Sequence, residues 1–265
     1  MKIGVDARPL QHETKYRGIG KALQSMLIEL RNILAPDDSV CFYIDDGLPK
    51  PRILKEYPDS RVIKIPTSKL GRKRYARSVL PSFRPISPRH SDIDVLLQYD
   101  ASFGVPAKVP TVVAFHDLIP YLFRGQEKQR PAKGFLKAKD TLARNLYWKK
   151  YLRVWKYYGR AKKVIPISNS SKQDLLNYIP DVKEKDVEVV YLGVAHSEVP
   201  GSSSAEARRL ASQPFLIYAG GIDTRKNILA LLESFFKLKK SNPSLRLIMV
   251  GKEFALADQL KSWVG

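Results

Sequence analysis

The stretch MKIGVDARPLQHETKYRGIGKALQSMLIELRNILAP, residues 1–36, decides the fold. It opens with a short apolar run, Ile3 to Val5. It closes with Leu23, Met26, Leu27, Leu30 and Leu34, a spacing that aligns one apolar helix face and that Pro36 brings to an end. Between them lies Arg17-Gly18-Ile19-Gly20-Lys21. A strand, a glycine loop and a helix make half of a βαβ unit, and the same alternation continues down the chain. Further strands are expected at Val40 to Ile44, Arg61 to Ile65, Val95 to Leu97, Thr111 to Phe115, Val164 to Ile167 and Val187 to Tyr191. Several carry no polar alternation, as strands do when helices cover both faces of a parallel sheet. The expected class is therefore α/β, with a parallel sheet wrapped by helices. A further helix is expected to begin at Ser170, with its hydroxyl as cap and Gln173 reaching back, and to stop before Pro180.

The segment 192–213, with Pro200, Gly201, Ser202, Ser203 and Ser204, reads as a linker. Beyond it a second unit opens with a strand from Phe215 to Ala219, a helix through Leu231, Leu232 and Phe235, and a strand from Leu245 to Val250. The expected organisation is a first domain over 1–191, the linker, and the beginning of a second, incomplete domain over 214–265. One βαβ unit and a last short helix near Ala255 to Trp263 cannot cover both faces of a doubly wound sheet.

Composition narrows the function classes. A hydrophobic share of 44% over 265 residues supports a real core, so a disordered or fibrous chain is excluded. The lone Cys41 excludes a disulfide framework and any cysteine-based zinc site, which makes a reducing, cytoplasmic setting the default. Charges at Lys2, Asp6 and Arg8 interrupt the apolar run a signal peptide needs, and no stretch is long and apolar enough to span a bilayer. The net charge of +20 calls for an anionic partner: nucleic acid, an anionic membrane face or a phosphorylated ligand.

The basic residues cluster. Arg124 to Lys163 holds fourteen Lys or Arg against Glu127 and Asp140. Within it Lys149, Arg153, Lys156 and Arg160 form one helical stripe, with Tyr147, Tyr151, Val154 and Tyr158 opposite and Trp148 and Trp155 on a flank. Three readings are open: a helix on anionic headgroups, a helix on a phosphate backbone, or a helix whose aromatic side packs on the sheet while its cations are solvated. Lys69, Arg72, Lys73, Arg74, Arg77, Arg84 and Arg89 form a second cluster that favours an anion-facing surface. No RNA or DNA motif supports nucleic acid.

Three loops could carry chemistry. Gly18 and Gly20 stand where backbone amides at a helix start can approach a phosphate, though the third glycine of a dinucleotide fingerprint is replaced by Leu23; a flexible loop is the plain alternative. His116 and Asp117 follow an expected central strand at its carboxyl end, where open α/β sheets bind ligands and a histidine can donate to a hydroxyl or phosphate; the alternative is a histidine that caps a turn. Arg225 and Lys226, in Gly220-Gly221-Ile222-Asp223-Thr224-Arg225-Lys226-Asn227, join a strand end to a helix start and suit a diphosphate; the alternative is an exposed polar turn capped by Asn227. His12, His90 and His196 show no comparable placement. Asp92-Ile93-Asp94 precedes a strand, at the edge opposite to ligand binding, so it reads as turn chemistry and no metal is expected.

In order and spacing, Ile3-Gly4-Val5-Asp6-Ala7-Arg8-Pro9-Leu10 with Gly18-Ile19-Gly20, His116-Asp117-Leu118-Ile119-Pro120, Ile167-Ser168-Asn169-Ser170-Ser171, Val189-Val190-Tyr191-Leu192-Gly193-Val194 and Tyr218 to Asn227 resemble glycosyltransferase family 4. The resemblance implies the GT-B arrangement: two Rossmann-like domains, an acceptor held mainly by the first and a nucleotide-diphosphate sugar mainly by the second. It implies that Gly18 and Gly20 lie near the donor diphosphate, that His116 reaches the transferred sugar, and that Arg225 and Lys226 neutralise the leaving diphosphate without a metal or other cofactor and with retention at the anomeric carbon. Gly221 stands where many members have an arginine, and Arg225 is the candidate to substitute. The family's two Glu residues, eight positions apart in a Glu-Gly-Phe-Gly-like segment, have no counterpart before Gly265, and Glu253 lacks a partner at that spacing. The expectation is thus an acceptor domain with the first part of a donor domain, not fully active as it stands. In activity it would be a hexosyltransferase moving mannose or a related hexose to a glycan or lipid-linked acceptor in cell-surface polysaccharide synthesis, cytoplasmic or peripheral on the inner membrane face. The alternatives are a non-catalytic basic module that binds membrane or glycan, with Lys149, Arg153, Lys156 and Arg160 as its surface, and a nucleic-acid-binding protein.

Overall fold

The computed structural model describes residues 1–16, 18–66, 92–101, 108–123, 148–149, 151–153, 155–193, 205–221 and 226–251. It divides into two compact units, Met1–Ile119 with Arg130–Ala195, and Pro120–Gln129 with His196–Gly265. The second basic cluster, Lys69 to Arg89, lies outside the described residues, as do Arg225, Glu253 and the expected helix near Ala255 to Trp263.

The first unit is built on β1 (Lys2–Asp6), β2 (Ser39–Asp45), β3 (Arg61–Ile65), β4 (Val95–Gln98), β5 (Thr111–Phe115) and β6 (Lys163–Pro166). These form one six-stranded sheet in the order β3-β2-β1-β4-β5-β6, and every pairing is parallel. The register sets Ile3 beside Val40 and Val5 beside Phe42. Helix α1 (Gly18–Ile33) lays the buried Leu23 and Leu27 on Ile3, Val5, Val40, Phe42 and Ile44. The opposite face buries Cys41, Tyr43, Ile93, Leu96 and Val109. Both faces of the central strands are therefore covered, which is why those strands read as unbroken apolar runs.

Two expected elements differ. Val187 to Tyr191 runs beside β6 without joining the sheet as a strand. Glu188 and Val190 donate their amides to the carbonyls of Val164 and Pro166, both at 3.1 Å, and only Val187 pairs, with Val164. The next rung of a parallel ladder would need residue 166 to donate to the carbonyl of 188, and Pro166 has no N–H. The helix expected at Ser170 is α2 (Asn169–Tyr178), and its cap is Ser168, whose hydroxyl accepts from the Ser171 amide at 3.1 Å. Three residues beyond that cap stands Ser171, not Gln173, so no capping box forms.

In the second unit β7 (Phe215–Ala219) and β8 (Arg246–Val250) pair in parallel, and α4 (Ile228–Ser241) packs Ile228 and Leu232 against Tyr218, Leu247 and Met249. Within the stretch read as a linker, Ala205–Ala211 is a helix, α3, built from Ala, Glu, Arg and Leu, all strong helix formers. Among the described residues no helix is long and apolar enough to cross a membrane.

The first unit also holds a charge pair in its interior. Arg8 is 2% exposed and Asp6 not at all; the Arg8 Nε and Nη2 donate to Asp6 Oδ1 and Oδ2 at 2.8 and 2.6 Å. Gln98 Nε2 donates to the same carboxylate at 3.1 Å from the end of β4. Replacing Arg8 by Met leaves Asp6 a buried charge without its main partner, so urea unfolding should show a loss of about 3–5 kcal/mol. The double replacement of Asp6 by Leu and Arg8 by Met should recover most of that loss.

Candidate active site

The chain leaves β3 at one edge of the sheet and returns as β4 on the far side of β1, so the direction of winding reverses between β1 and β4. At such a reversal the two flanking connections diverge and leave a crevice outside the carboxyl ends of the strands. Asp6 and Gln98 end β1 and β4 there, and the bidentate Arg8 ties the turn after β1 down to them.

His116 follows β5 at the same edge. Its Nε2 lies 3.1 Å from the carbonyl oxygen of Tyr99, just past β4, and the two rings meet at 5.9 Å between centroids. A carbonyl only accepts, so Nε2 carries the proton. No partner of Nδ1 occurs among the described residues, which leaves that nitrogen as a hydrogen-bond acceptor when the ring is neutral. The backbone is held too: Ser171 Oγ, in the first turn of α2, donates to the His116 carbonyl at 2.8 Å. Burial lowers the His116 pKa below its ordinary value, opposed by the Tyr99 hydrogen bond and by the charges of Asp100 and Asp117. The neighbouring Asp117 accepts the Ile119 amide at 2.9 Å through Oδ1 and so turns the chain out of the site.

The helix with the basic stripe forms one wall. Residues 148–149, 151–153 and 155–158 are helical. Tyr157, Tyr158 and Ala161 pack on the buried Ala101 and Val113, and Tyr158 meets Phe115 edge to face at 5.2 Å. Burial raises the Tyr158 pKa well above the phenol range, with the charges of Asp100 and Asp117 adding to it. Lys149, Arg153, Lys156 and Arg160 all point to solvent, with Leu152 exposed among them. The aromatic side of the helix is thus part of the core, and the cations are what it presents outward.

The two loop glycines have different roles. A Cβ on Gly20 would sit 2.4 Å from Lys15 Cα and from the Thr14 carbonyl oxygen, so glycine there lets α1 pack against the preceding turn. Gly18 is exposed at the first position of α1, and a Cβ there would meet nothing within 4 Å. In the second unit Lys226 is exposed just before α4. Asn227 does not cap that helix as the polar-turn reading expects: it sits in the left-handed region at φ 50°, and its side chain makes no cap hydrogen bond. The amides of the first turn of α4 receive no acceptor from it.

His12 is the residue the sequence reading passes over. Its Nε2 lies 2.7 Å from Asp45 Oδ2 at the carboxyl end of β2, and Gln11 holds that strand end, accepting from the Asp45 amide at 2.7 Å. The signal was positional: His12 follows β1 and Asp45 ends the adjacent strand, so both lie at the edge that carries His116. His90 and His196 lie outside the described residues. Asp94 accepts the Lys2 amide at 2.7 Å and Asp92 pairs with Arg61 at 3.5 Å, so both carboxylates anchor strand beginnings. Among the described residues no group of three or more His, Cys, Asp and Glu side chains is assembled as a metal site.

Residues 35–198, more than half of the chain, match the family model described as Glycosyltransferase Family 4. No curated protein matches the chain.

A histidine whose pKa falls on folding binds fewer protons folded than unfolded. Its contribution is therefore complete above an unfolded value of about 6.5 and is lost as pH drops below it. Urea unfolding at pH 7.5 and pH 5 should show His116→Asn losing less stability over this interval than the wild type. Asp100, Asp117, Tyr99 and Tyr158 are unchanged in both proteins, so the difference isolates the imidazole.

Proposed function

The chain belongs to glycosyltransferase family 4, and on that premise we propose that it transfers a hexose, mannose or a close relative, from a nucleotide-diphosphate sugar to a glycan or lipid-linked acceptor. The observation that carries this reading is the placement of His116 at the carboxyl edge of the sheet beside the winding reversal, in a chain that matches a glycosyltransferase family over that region.

The roles follow from the chemistry of each group. The diphosphate of the donor gains charge as the glycosidic bond breaks, and preorganised donors lower the barrier most where that charge grows. Lys226, exposed just before α4, and Arg225, its neighbour in sequence, are the cations for it, and Gly18 at the start of α1 offers a backbone contribution. Gly20 supports that loop by packing. His116 contacts the transferred sugar. The transfer keeps the anomeric configuration and uses no metal, since protein cations carry the leaving charge. The first unit takes the acceptor and the second the donor, and the product enters cell-surface polysaccharide.

A cytoplasmic protein bound to the inner membrane face fits the exposed row of Lys149, Arg153, Lys156 and Arg160 around Leu152, because a lipid-linked acceptor is presented there. Each such cation adds about 1 kcal/mol near an anionic surface.

Two measurements test this. In the protein as its own cell makes it, a panel of nucleotide sugars should include one whose nucleoside diphosphate is released on addition of acceptor. Lys226→Ala should then cut kcat by about a hundredfold or more with an unchanged melting temperature. No release from any donor overturns the reading. Separately, vesicles containing about 30% phosphatidylglycerol should bind the protein at low salt and release it as screening rises. Glu at positions 149, 153 and 156 should abolish that binding.

A further inference from the structure

We infer that Ser171 is a positioning residue for His116, its hydroxyl setting where the histidine backbone leaves the sheet and thereby where the imidazole stands. The inference rests on the transferase reading above and adds to that site a residue that acts through His116.

The backbone side comes first. β5 and β6 pair in parallel, and near their carboxyl ends the Ile167 amide meets the Phe115 carbonyl at 3.1 Å. His116 follows at once, and the neighbouring chain has turned into α2 by Asn169. A side chain takes over there: Ser171 Oγ donates to the His116 carbonyl at 2.8 Å. The direction of this bond is set by the next hydroxyl. Ser168 Oγ donates to Ser171 Oγ at 3.1 Å and accepts the Ser171 amide at 3.1 Å, so the Ser171 oxygen is engaged as an acceptor on one side and its proton goes to His116. The cap of α2 is already supplied by Ser168, so the Ser171 hydroxyl serves a residue outside its own helix. Ser171 is 8% exposed, and loss of its hydroxyl leaves the carbonyl short of a donor where water is scarce.

The far end of the histidine is held as well. Its Nε2 donates to the Tyr99 carbonyl at 3.1 Å, and its ring lies 5.9 Å from that of Tyr99. Only χ1 and χ2 separate the His116 backbone from its ring, so a hold at each end fixes both torsions. A turned His116 peptide would carry Cβ off the line that lets Nε2 reach Tyr99, and the two holds would be lost together. A reacting group has to stay within about 0.5 Å of its productive place, which supporting hydrogen bonds secure. The Ser168–Ser171 pair supplies that support from α2, 55 positions along the chain from His116.

The test uses the full chain with Ser171→Ala and Ser171→Cys, the second of which keeps the volume and gives up the strong donor. Burial is the largest cause of the lowered His116 pKa, and Asp100, Asp117, Tyr99 and Tyr158, the titratable groups around it, are unchanged in these variants. A ring released toward water should therefore titrate closer to the ordinary value of about 6.5. Long-range nitrogen–proton NMR should show the His116 midpoint rising in both variants while the signals of His12, whose ring is held by Asp45, stay in place. A His116 midpoint that does not rise in either variant overturns the inference. In turnover, release of UDP or GDP is followed with UDP-glucose, UDP-galactose, GDP-mannose and the other common nucleotide sugars, with a lipid extract of its own cell as acceptor. Ser171→Ala should lower kcat about tenfold or more and leave the donor KM within about twofold. Added to His116→Ala, it should cost nothing further, because a residue that works through His116 then has nothing to position. Two losses that multiply overturn the inference and leave the transferase reading in place. No release from any nucleotide sugar overturns the transferase reading, and the NMR comparison still decides whether Ser171 holds the ring.

Discussion

The Asp6–Arg8 pair is the interaction on which the rest of the first unit turns. Removing a carboxylate and a guanidinium from water costs several kcal/mol for each ion, and only close, saturated geometry offsets it. Here the fork of Arg8 meets both carboxylate oxygens, Gln98 adds a third donor from β4, and the Arg8 amide adds a fourth at 3.2 Å. The pair therefore does more than fill space. It joins the turn after β1 to the end of β4, the two strands on either side of the winding reversal. On the same edge stand His116 at the end of β5, with Asp117 beside it, and the backbone at the start of α1.

The wall helix shows how one segment serves two solvents. Its aromatic side is held by Ala101, Val113 and Phe115, and its cations face outward. Long basic side chains on the outer face keep their charges in water while the rings remain in the core. The sequence alone left packing and surface binding as rivals for this stripe. They use different faces of the same helix, so the core role of the tyrosines is no argument against a role for the lysines and arginines.

Much of the fold was legible because both faces of the central strands are buried, which leaves long apolar runs that need no partner to be recognised. The exceptions have local causes. Pro166 interrupts the ladder beside Val187 to Tyr191, although the residues of that stretch are good strand formers. The cap of α2 is Ser168 and not Ser170, and Ser171 in its first turn reaches the His116 carbonyl, a contact across 55 positions that no local pattern encodes. The helix at 205–211 was hidden by the Pro, Gly and Ser residues before it. At the site, His116 was visible as a residue just past a strand. Its tautomer was not, because that is set by the carbonyl of Tyr99 on another strand. His12 was legible only as a residue past β1, and its partner Asp45 is brought close by the pairing of β1 with β2.

The charge distribution then makes one consistent picture of a chain with a net charge of +20. A nucleotide sugar is a dipolar ligand, with two negative phosphates at one end and neutral hydroxyls at the other. The excess positive charge of the protein raises the local concentration of an anionic donor from a distance, where only net charge is felt. Close to His116, among the described residues, the charges that act on the ring are those of Asp100 and Asp117, so the local field there differs from that of the molecule as a whole.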